Sequence, residues 1–201
     1  VLVAAAGTAR QAPAVAVSSS RALVAWREGS GATGALRVST FALALPLTTP
    51  SAAATIAMNV SDAPRVVAAP DGTFVVAWAA SGDIFTQRVS AMGAPMGAAV
   101  LASPISAQVQ DQPSLASVGD GTFIIAWRDA ARDNADNDGT TIRWARLGVN
   151  LQRAGDAGGV GSVEPGGRRR IGRGEGGMSI GDGHGTHGIA DCGVYIGHRG
   201  D

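Results

Sequence analysis

The sequence predicts an all-β fold, a partial β-propeller of about three four-stranded blades followed by a Gly-rich C-terminal tail. Three observations predict it. A unit of about fifty residues recurs three times. Asp-Gly turns separate β-rich runs in two of the units. The β-rich pattern then stops near residue 151, where the composition changes.

The first unit, residues 10–60, opens at Pro13 with an alternating Ala/Val run, passes through three Ser, and continues as Ala22 to Trp26. The second, residues 61–109, runs from Pro64 through Asp71-Gly72 to Phe74-Val-Val-Ala-Trp78. The third, residues 110–151, runs from Pro113 through Asp120-Gly121 to Phe123-Ile-Ile-Ala-Trp127. Asp-Gly between β-rich runs is a strong hairpin signal, because Gly accepts the positive φ of the turn. The Phe-to-Trp runs are apolar at every position, which suits an inner strand covered on both faces. Each Pro is expected to open its strand, where the missing N–H costs no ladder bond. A third strand follows in each unit: Leu36 to Ser39, Phe85 to Ser90 and Trp144 to Leu147. A fourth is visible in two, over 53–57 and 98–102. Four short strands per fifty residues is the arithmetic of a propeller blade. A β-solenoid or an irregular stack of three sheets is the competing architecture.

Two side chains recur inside this frame. Trp26, Trp78 and Trp127 occupy one repeat position, and are expected to wedge between sheets. Arg37, Arg88 and Arg146 also align, and are expected to bond a neighbouring backbone group or Asp. Val1 to Ala4 stands before Pro13 as Val100-Leu101 stands before Pro113, so it reads as the last strand of a preceding blade. Three blades do not close a ring. The sequence therefore suggests a fragment or processed chain of a longer parent, with self-association through unpaired blade edges.

Composition sets the remaining bounds. The 201 residues hold 16 basic and 16 acidic side chains, with no net charge to attract nucleic acid. Every basic residue is Arg, and Ala and Gly are abundant, as GC-rich codon usage produces. Long surface helices are excluded, since Lys is absent and Glu is scarce. Cys192 is alone, so no disulfide scaffold exists. No apolar run reaches the roughly 18 residues of a membrane span.

The pattern Pro-x-(Val/Leu), Asp-Gly-x-Phe-(Val/Ile)-(Val/Ile)-Ala-Trp, then Arg-(Val/Leu), resembles tandem repeats of large secreted or surface proteins of GC-rich bacteria. The resemblance covers roughly residues 1–150 and implies a β-propeller-like array, mostly without assigned activity. It implies a secreted or cell-surface location. The sialidase Asp-box, the kelch double glycine and the WD40 pairs are not found.

The third unit carries an insertion between Trp127 and Arg146. Within it Asn134, Asp136, Asp138 and Gly139 have the spacing of an Asp-rich calcium loop, in which alternate oxygens converge on the ion. The bidentate Glu of a full EF-hand loop is replaced by Ala145. A solvated acidic turn is the simpler reading, and calcium the alternative.

Residues 152–201 read as a Gly/Arg-rich tail, disordered or translated out of frame. Of the 29 Gly, 17 lie in residues 151–201. Asp182-Gly-His184-Gly-Thr-His187 resembles the His-Gly-Thr-His signature of subtilisin-like serine proteases. That resemblance implies His184 as a general base. It is four residues deep, and neither the orienting acid nor the nucleophile motif accompanies it. His184, His187, Cys192 and His198 also form a candidate zinc set, although their spacing matches no standard site. Gly183-x-Gly185-x-x-Gly188 lacks the strand and helix of a dinucleotide fingerprint.

The expected function is a non-catalytic binding or structural repeat module of a secreted or surface bacterial protein, with an extracellular protein or glycan as ligand. The alternative is an accessory or fragment of a hydrolase, either a subtilisin-like protease or a glycan-active propeller, with catalytic residues mostly outside the chain. Against the glycan-active reading, the only acids seen to recur at one repeat position are Asp71 and Asp120.

Overall fold

The computed structural model describes residues 9–46, 49–103, 108–130, 140–154 and 158–160. All regular structure among them is β. The first unit contains β1 (Arg10–Val17), β2 (Arg21–Glu28), β3 (Gly34–Ala42) and β4 (Ala54–Val60). The second contains β5 (Arg65–Ala68), β6 (Phe74–Ala80), β7 (Asp83–Val89) and β8 (Pro95–Leu101). The third contains β9 (Gln110–Ser117), β10 (Phe123–Asp129), β11 (Thr141–Leu147) and β12 (Gly158–Val160). Within each unit the four strands pair in chain order, all antiparallel. One residue pair, Val60↔Ala80, joins the first unit to the second. No closed ring of sheets is formed among the described residues.

The turns follow the residues that permit them. Gly72 and Gly121 sit at φ +82° and +87°, in the left-handed region that only Gly enters cheaply. Ala69 N–H donates to Thr73 O, and Val118 N–H to Thr122 O, closing the two turns at 2.9 and 3.0 Å. Between β6 and β7 the connection is only Ser81-Gly82, both at positive φ, as a tight primed hairpin requires.

The three units stack face to face, and side-chain alternation along β6 explains how. Phe74, Val76, Trp78 and Ala80 pack toward the first unit, against Leu23, Ala25, Leu36, Val38 and Val60. Val75, Ala77 and Ala79 pack toward the third, against Phe123, Ile125, Trp127, Ala145 and Leu147. Every β6 residue is buried, as its two-faced apolar run requires. The identical-looking run in β10 instead alternates buried and half-buried residues. Its preceding face meets the second unit, and its following face meets nothing among the described residues. Trp26, Trp78 and Trp127 are all buried. Trp78 also stacks on Phe85, with ring centroids 6.0 Å apart. Strand β5 lies against both β1 and β9, so the first strands of the units adjoin.

Three expectations are corrected. Pro13 and Pro113 lie within β1 and β9, not at their starts. Each sits at a β-bulge, where pairing skips and no ladder donor is needed. The preceding residues, Ala12 and Gln112, take φ +52° and +51°. Second, β12 falls inside the range assigned to the tail. It pairs with β11 at Ile142↔Val160, Arg143↔Gly159 and Trp144↔Gly158. A Gly-Gly-Val strand carries almost no β-propensity, so its sequence hid it. Third, Arg37 does not share a position with Arg88 and Arg146. Arg88 and Arg146 face Val75 and Ile124, each one residue after the Phe. Arg37 faces Trp26, and Thr40 holds the equivalent place opposite Leu23. The loop from β2 to β3 is longer than Ser81-Gly82, and it shifted the alignment. Val1 to Ala4 lies outside the described residues.

Candidate functional site

Two rows of recurrent polar residues lie at opposite ends of the strands. The first row is at the Asp-Gly turns. Asp71 Oδ1 accepts from Thr73 N at 3.0 Å and from Thr73 Oγ1 at 2.6 Å. Asp120 Oδ1 accepts from Thr122 N at 2.9 Å and Thr122 Oγ1 at 2.5 Å. The Thr73 hydroxyl is the main reason the Asp71 carboxyl titrates below its ordinary value, with the Thr73 N–H and Arg88 adding to it against burial. The Thr122 hydroxyl does the same for Asp120, assisted by the Thr122 N–H and Arg146. Both carboxyls are therefore ionised acceptors at neutral pH, not proton donors.

Each turn is clasped by the Arg of the third strand. Arg88 Nη1 donates to Asp71 Oδ2 at 3.1 Å and to Thr73 Oγ1 at 2.8 Å. Its Nε and Nη2 donate to Val149 O of the next unit, at 3.1 and 2.9 Å. Its guanidinium carbon lies 5.6 Å from the centre of the Phe123 ring. Arg146 repeats the local half, donating from Nη2 to Asp120 Oδ2 at 2.7 Å and to Thr122 Oγ1 at 3.0 Å. The expectation that the repeat Arg bonds a neighbouring backbone group or Asp holds for all three: Arg88 bonds both, Arg146 bonds Asp120, and Arg37 bonds the Ala53 carbonyl. An open cleft of about 420 Å³ lies between the two turns, lined by Pro70, Asp71, Arg88, Asp120 and Val149. A second, of about 680 Å³, runs from Arg88 along Met96 to Leu101, opposite Asn150 to Gln152.

The second row was missed by the sequence reading. Gln11, Asp62 and Asp111 each stand two residues before the unit Pro, Gln11 and Asp111 at the start of β1 and β9 and Asp62 just before β5. Their spacing to Pro13, Pro64 and Pro113 was the available signal. Asp62 Oδ1 accepts from Ala63 N at 2.6 Å, and Oδ2 accepts from Gln112 N of the next unit at 2.7 Å. Asp111 takes a bidentate pair from Arg128, with Nε to Oδ1 at 2.6 Å and Nη2 to Oδ2. That hydrogen bond and the Asp111 charge, with a smaller push from Asp62, raise the Arg128 pKa further. In the first unit Arg27 donates from Nη2 to Gln11 Oε1 at 2.5 Å, in the same arrangement. Arg27 and Arg128 each follow their Trp.

A third equivalence replaces the misaligned one. Arg37 Nε lies 3.1 Å from Glu28 Oε2, and Arg143 Nε 2.8 Å from Asp129 Oδ2. Both Arg face the unit Trp across the hairpin, and both acids stand two residues after it. Gln110 Nε2 adds a bond to Asp129 Oδ2 at 3.1 Å.

The remaining sequence candidates lie outside the described residues. These are Asn134, Asp136 and Asp138 for calcium, His184 as a base, and His184, His187, Cys192 and His198 for zinc. Among the described residues no group of three His, Cys, Asp or Glu is arranged to hold a metal. Among the described residues no helix is long and apolar enough to cross a membrane.

No family model and no curated protein matches the chain. Solved structures do. An exo-1,5-α-L-arabinanase from a bovine ruminal metagenomic library is similar at 11% identity and TM-score 0.47, over 78% of this chain. A GH43 endo-arabinanase from Bacillus licheniformis is similar at 14% identity and TM-score 0.42, over 72% of this chain. A thermostable family-43 glycoside hydrolase is similar at 15% identity and TM-score 0.45, over 77% of this chain. This chain spans 61%, 56% and 54% of those three chains.

Proposed function

We propose that the chain is a segment of a β-propeller, three blades of four antiparallel strands, acting as a non-catalytic binding or structural repeat module of a secreted or surface protein. The chain-order meanders, the face-to-face stacking and the adjoining first strands support the propeller. One observation carries the module reading: the recurrent charges are spent on neighbours. Arg88 holds Asp71 and Val149 O, Arg128 holds Asp111, Arg37 holds Glu28, and Arg143 holds Asp129. A general acid or base needs a carboxyl whose proton affinity lies near the working pH, and Asp71 and Asp120 are moved the other way. Specificity would then reside in the connecting loops. Binding of the full chain to a glycan and matrix-protein array, without turnover, tests this. Turnover of any arrayed polysaccharide, lost on substitution of a described carboxylate, would overturn it.

A second reading is favoured by a specific observation. Asp62 and Asp111 stand at the same end of adjoining first strands, where a glycan-active propeller would need its acids. In that reading the chain is part of a hydrolase whose other catalytic residues lie outside it. Release of reducing ends from a polysaccharide panel by the longest available gene product, abolished by Asp62→Asn, would support it. The accessory-to-protease version rests on His184 alone. Proteolysis surviving His184→Ala would remove it. Calcium at Asn134, Asp136 and Asp138 also stays a proposal, checked by the melting temperature in millimolar calcium.

A further inference from the structure

The turn between the first two strands differs in the first unit. Four residues, Ser18 to Arg21, separate the paired Val17 and Ala22. Five separate Ala68 from Phe74, and five separate Ser117 from Phe123. The shorter turn carries no acid. Ser18-Ser19-Ser20 stands where the other two units have Asp71-Gly72 and Asp120-Gly121.

The cation of the clasp is kept, but on the other strand. In the second and third units the third-strand Arg donates to the second-strand Thr, Arg88 to Thr73 and Arg146 to Thr122. In the first unit the pair is exchanged. Arg21 stands directly before Ala22, as Thr73 stands before Phe74. Thr40 holds opposite Leu23 the place that Arg88 holds opposite Val75. Arg21 Nη2 donates to Thr40 Oγ1 at 3.2 Å. All three units thus contain the Arg–Thr pair, and two contain the carboxylate that it binds.

Arg21 is a guanidinium without its counter-charge. Among the described residues Arg10, Arg37, Arg88, Arg128, Arg143 and Arg146 form ion pairs, and Arg21 forms none. Its Nε is buried and has no hydrogen-bond acceptor. A part-buried charge with an unused donor is costly until an anion joins it. Arg27 and Arg65 also lack an acid, but they spend their donors on backbone carbonyls. Ser19 and Ser20 of the same turn are exposed.

We propose that the first-unit turn binds a carboxylate supplied from outside the chain, that of a uronic-acid residue in a glycan. Arg21 stands toward it as Arg88 and Arg146 stand toward Asp71 and Asp120, giving a charge-assisted hydrogen bond. Ser19 and Ser20 offer hydroxyls to the ring hydroxyls of the sugar, which an acidic peptide side chain does not carry. The inference rests on the module reading and names a ligand class for it.

Titration calorimetry of the full chain with hexagalacturonate at low salt tests it. Binding is expected for the acid and not for its methyl ester. Arg21→Gln should weaken it by about tenfold or more. Ser19→Asp gives the turn the carboxylate that its sisters carry, and should weaken binding as much with Arg21 in place. That variant decides the matter should Arg21→Gln fail to fold. Arg65→Gln removes an exposed charge bonded to the Ala63 and Pro64 carbonyls, and should leave binding unchanged. Absent binding, equal loss in Arg65→Gln, full binding in Ser19→Asp, or equal binding of the methyl ester or of polyglutamate would each overturn the proposal. Array binding to a neutral ligand alone would overturn it too, and would leave the module reading standing.

Discussion

Arg88 donates from Nε and Nη2 to the carbonyl of Val149, at 3.1 and 2.9 Å, across the boundary between the second and third units. The same guanidinium holds Asp71 and Thr73 of its own unit. One side chain thus ties a turn to its own sheet and that sheet to the next.

Arg88→Ala is therefore expected to cost about 1–3 kcal/mol, since charge-assisted bonds are lost and the Val149 carbonyl loses its donors. Arg146→Ala removes only the local half from a more exposed side chain, and should change stability little. Urea unfolding of both variants checks the difference. Equal losses would show that the bonds to Val149 contribute nothing.

Acid should weaken the turns. The carboxyls of Asp71 and Asp120 titrate below the ordinary value of 3.8 in the folded chain. A depressed folded pKa gives stability that is present above the unfolded value and lost as pH falls through the folded one. The urea midpoint should therefore drop as pH falls from about 5 toward and below 3.8. Thr73→Val and Thr122→Val remove the largest cause of each shift and should flatten that slope. A slope unchanged in the double variant would contradict the assignment.

The Trp residues divide into two classes. Trp26, Trp78 and Trp127 are buried, the last two between sheets, while Trp144 is half exposed. Acrylamide should quench one fraction of the emission, and Trp144→Phe should abolish that fraction. Trp127→Ala, which empties a packed boundary between sheets, should cost about 3–5 kcal/mol in urea unfolding.

Two glycines separate conformational from steric strain. Gly72 sits at φ +82° with nothing within 4 Å of a Cβ, so Gly72→Ala costs only the left-handed conformation, about 1–2 kcal/mol. A Cβ on Gly34 would meet the Glu28 carbonyl oxygen at 2.6 Å. Gly34→Ala must move the β2–β3 hairpin and should destabilise more. Urea midpoints of the two variants rank them, and the reverse order would contradict the hairpin geometry.

How much of this the sequence carried depends on how local the cause was. Asp71-Gly72 and Asp120-Gly121 were legible because a turn and its Gly are neighbours in the chain. Trp78 and Trp127 were legible because an apolar run with a bulky end has few uses besides a core. Arg37 was misplaced because register depends on loop length: six residues between the paired Glu28 and Ala35, and two between Ala80 and Asp83. Its true counterpart, Arg143, appears only when cross-strand partners are known. Asp62 and Asp111 were passed over because their neighbours come from other strands, Gln112 N for one and Arg128 for the other. β12 escaped because backbone ladder bonds leave no mark on side-chain pattern.

The central claim is that three four-stranded units stack face to face with β6 in the middle sheet, buried on both sides. Native-state amide hydrogen exchange tests it most directly. The account predicts that amides of Val75 to Ala79 exchange slowest among the described residues, more slowly than those of β10, whose sequence is nearly the same but whose following face meets nothing among the described residues. Equal protection of β6 and β10 in a chain shown to be monomeric, or faster exchange in β6, would contradict it.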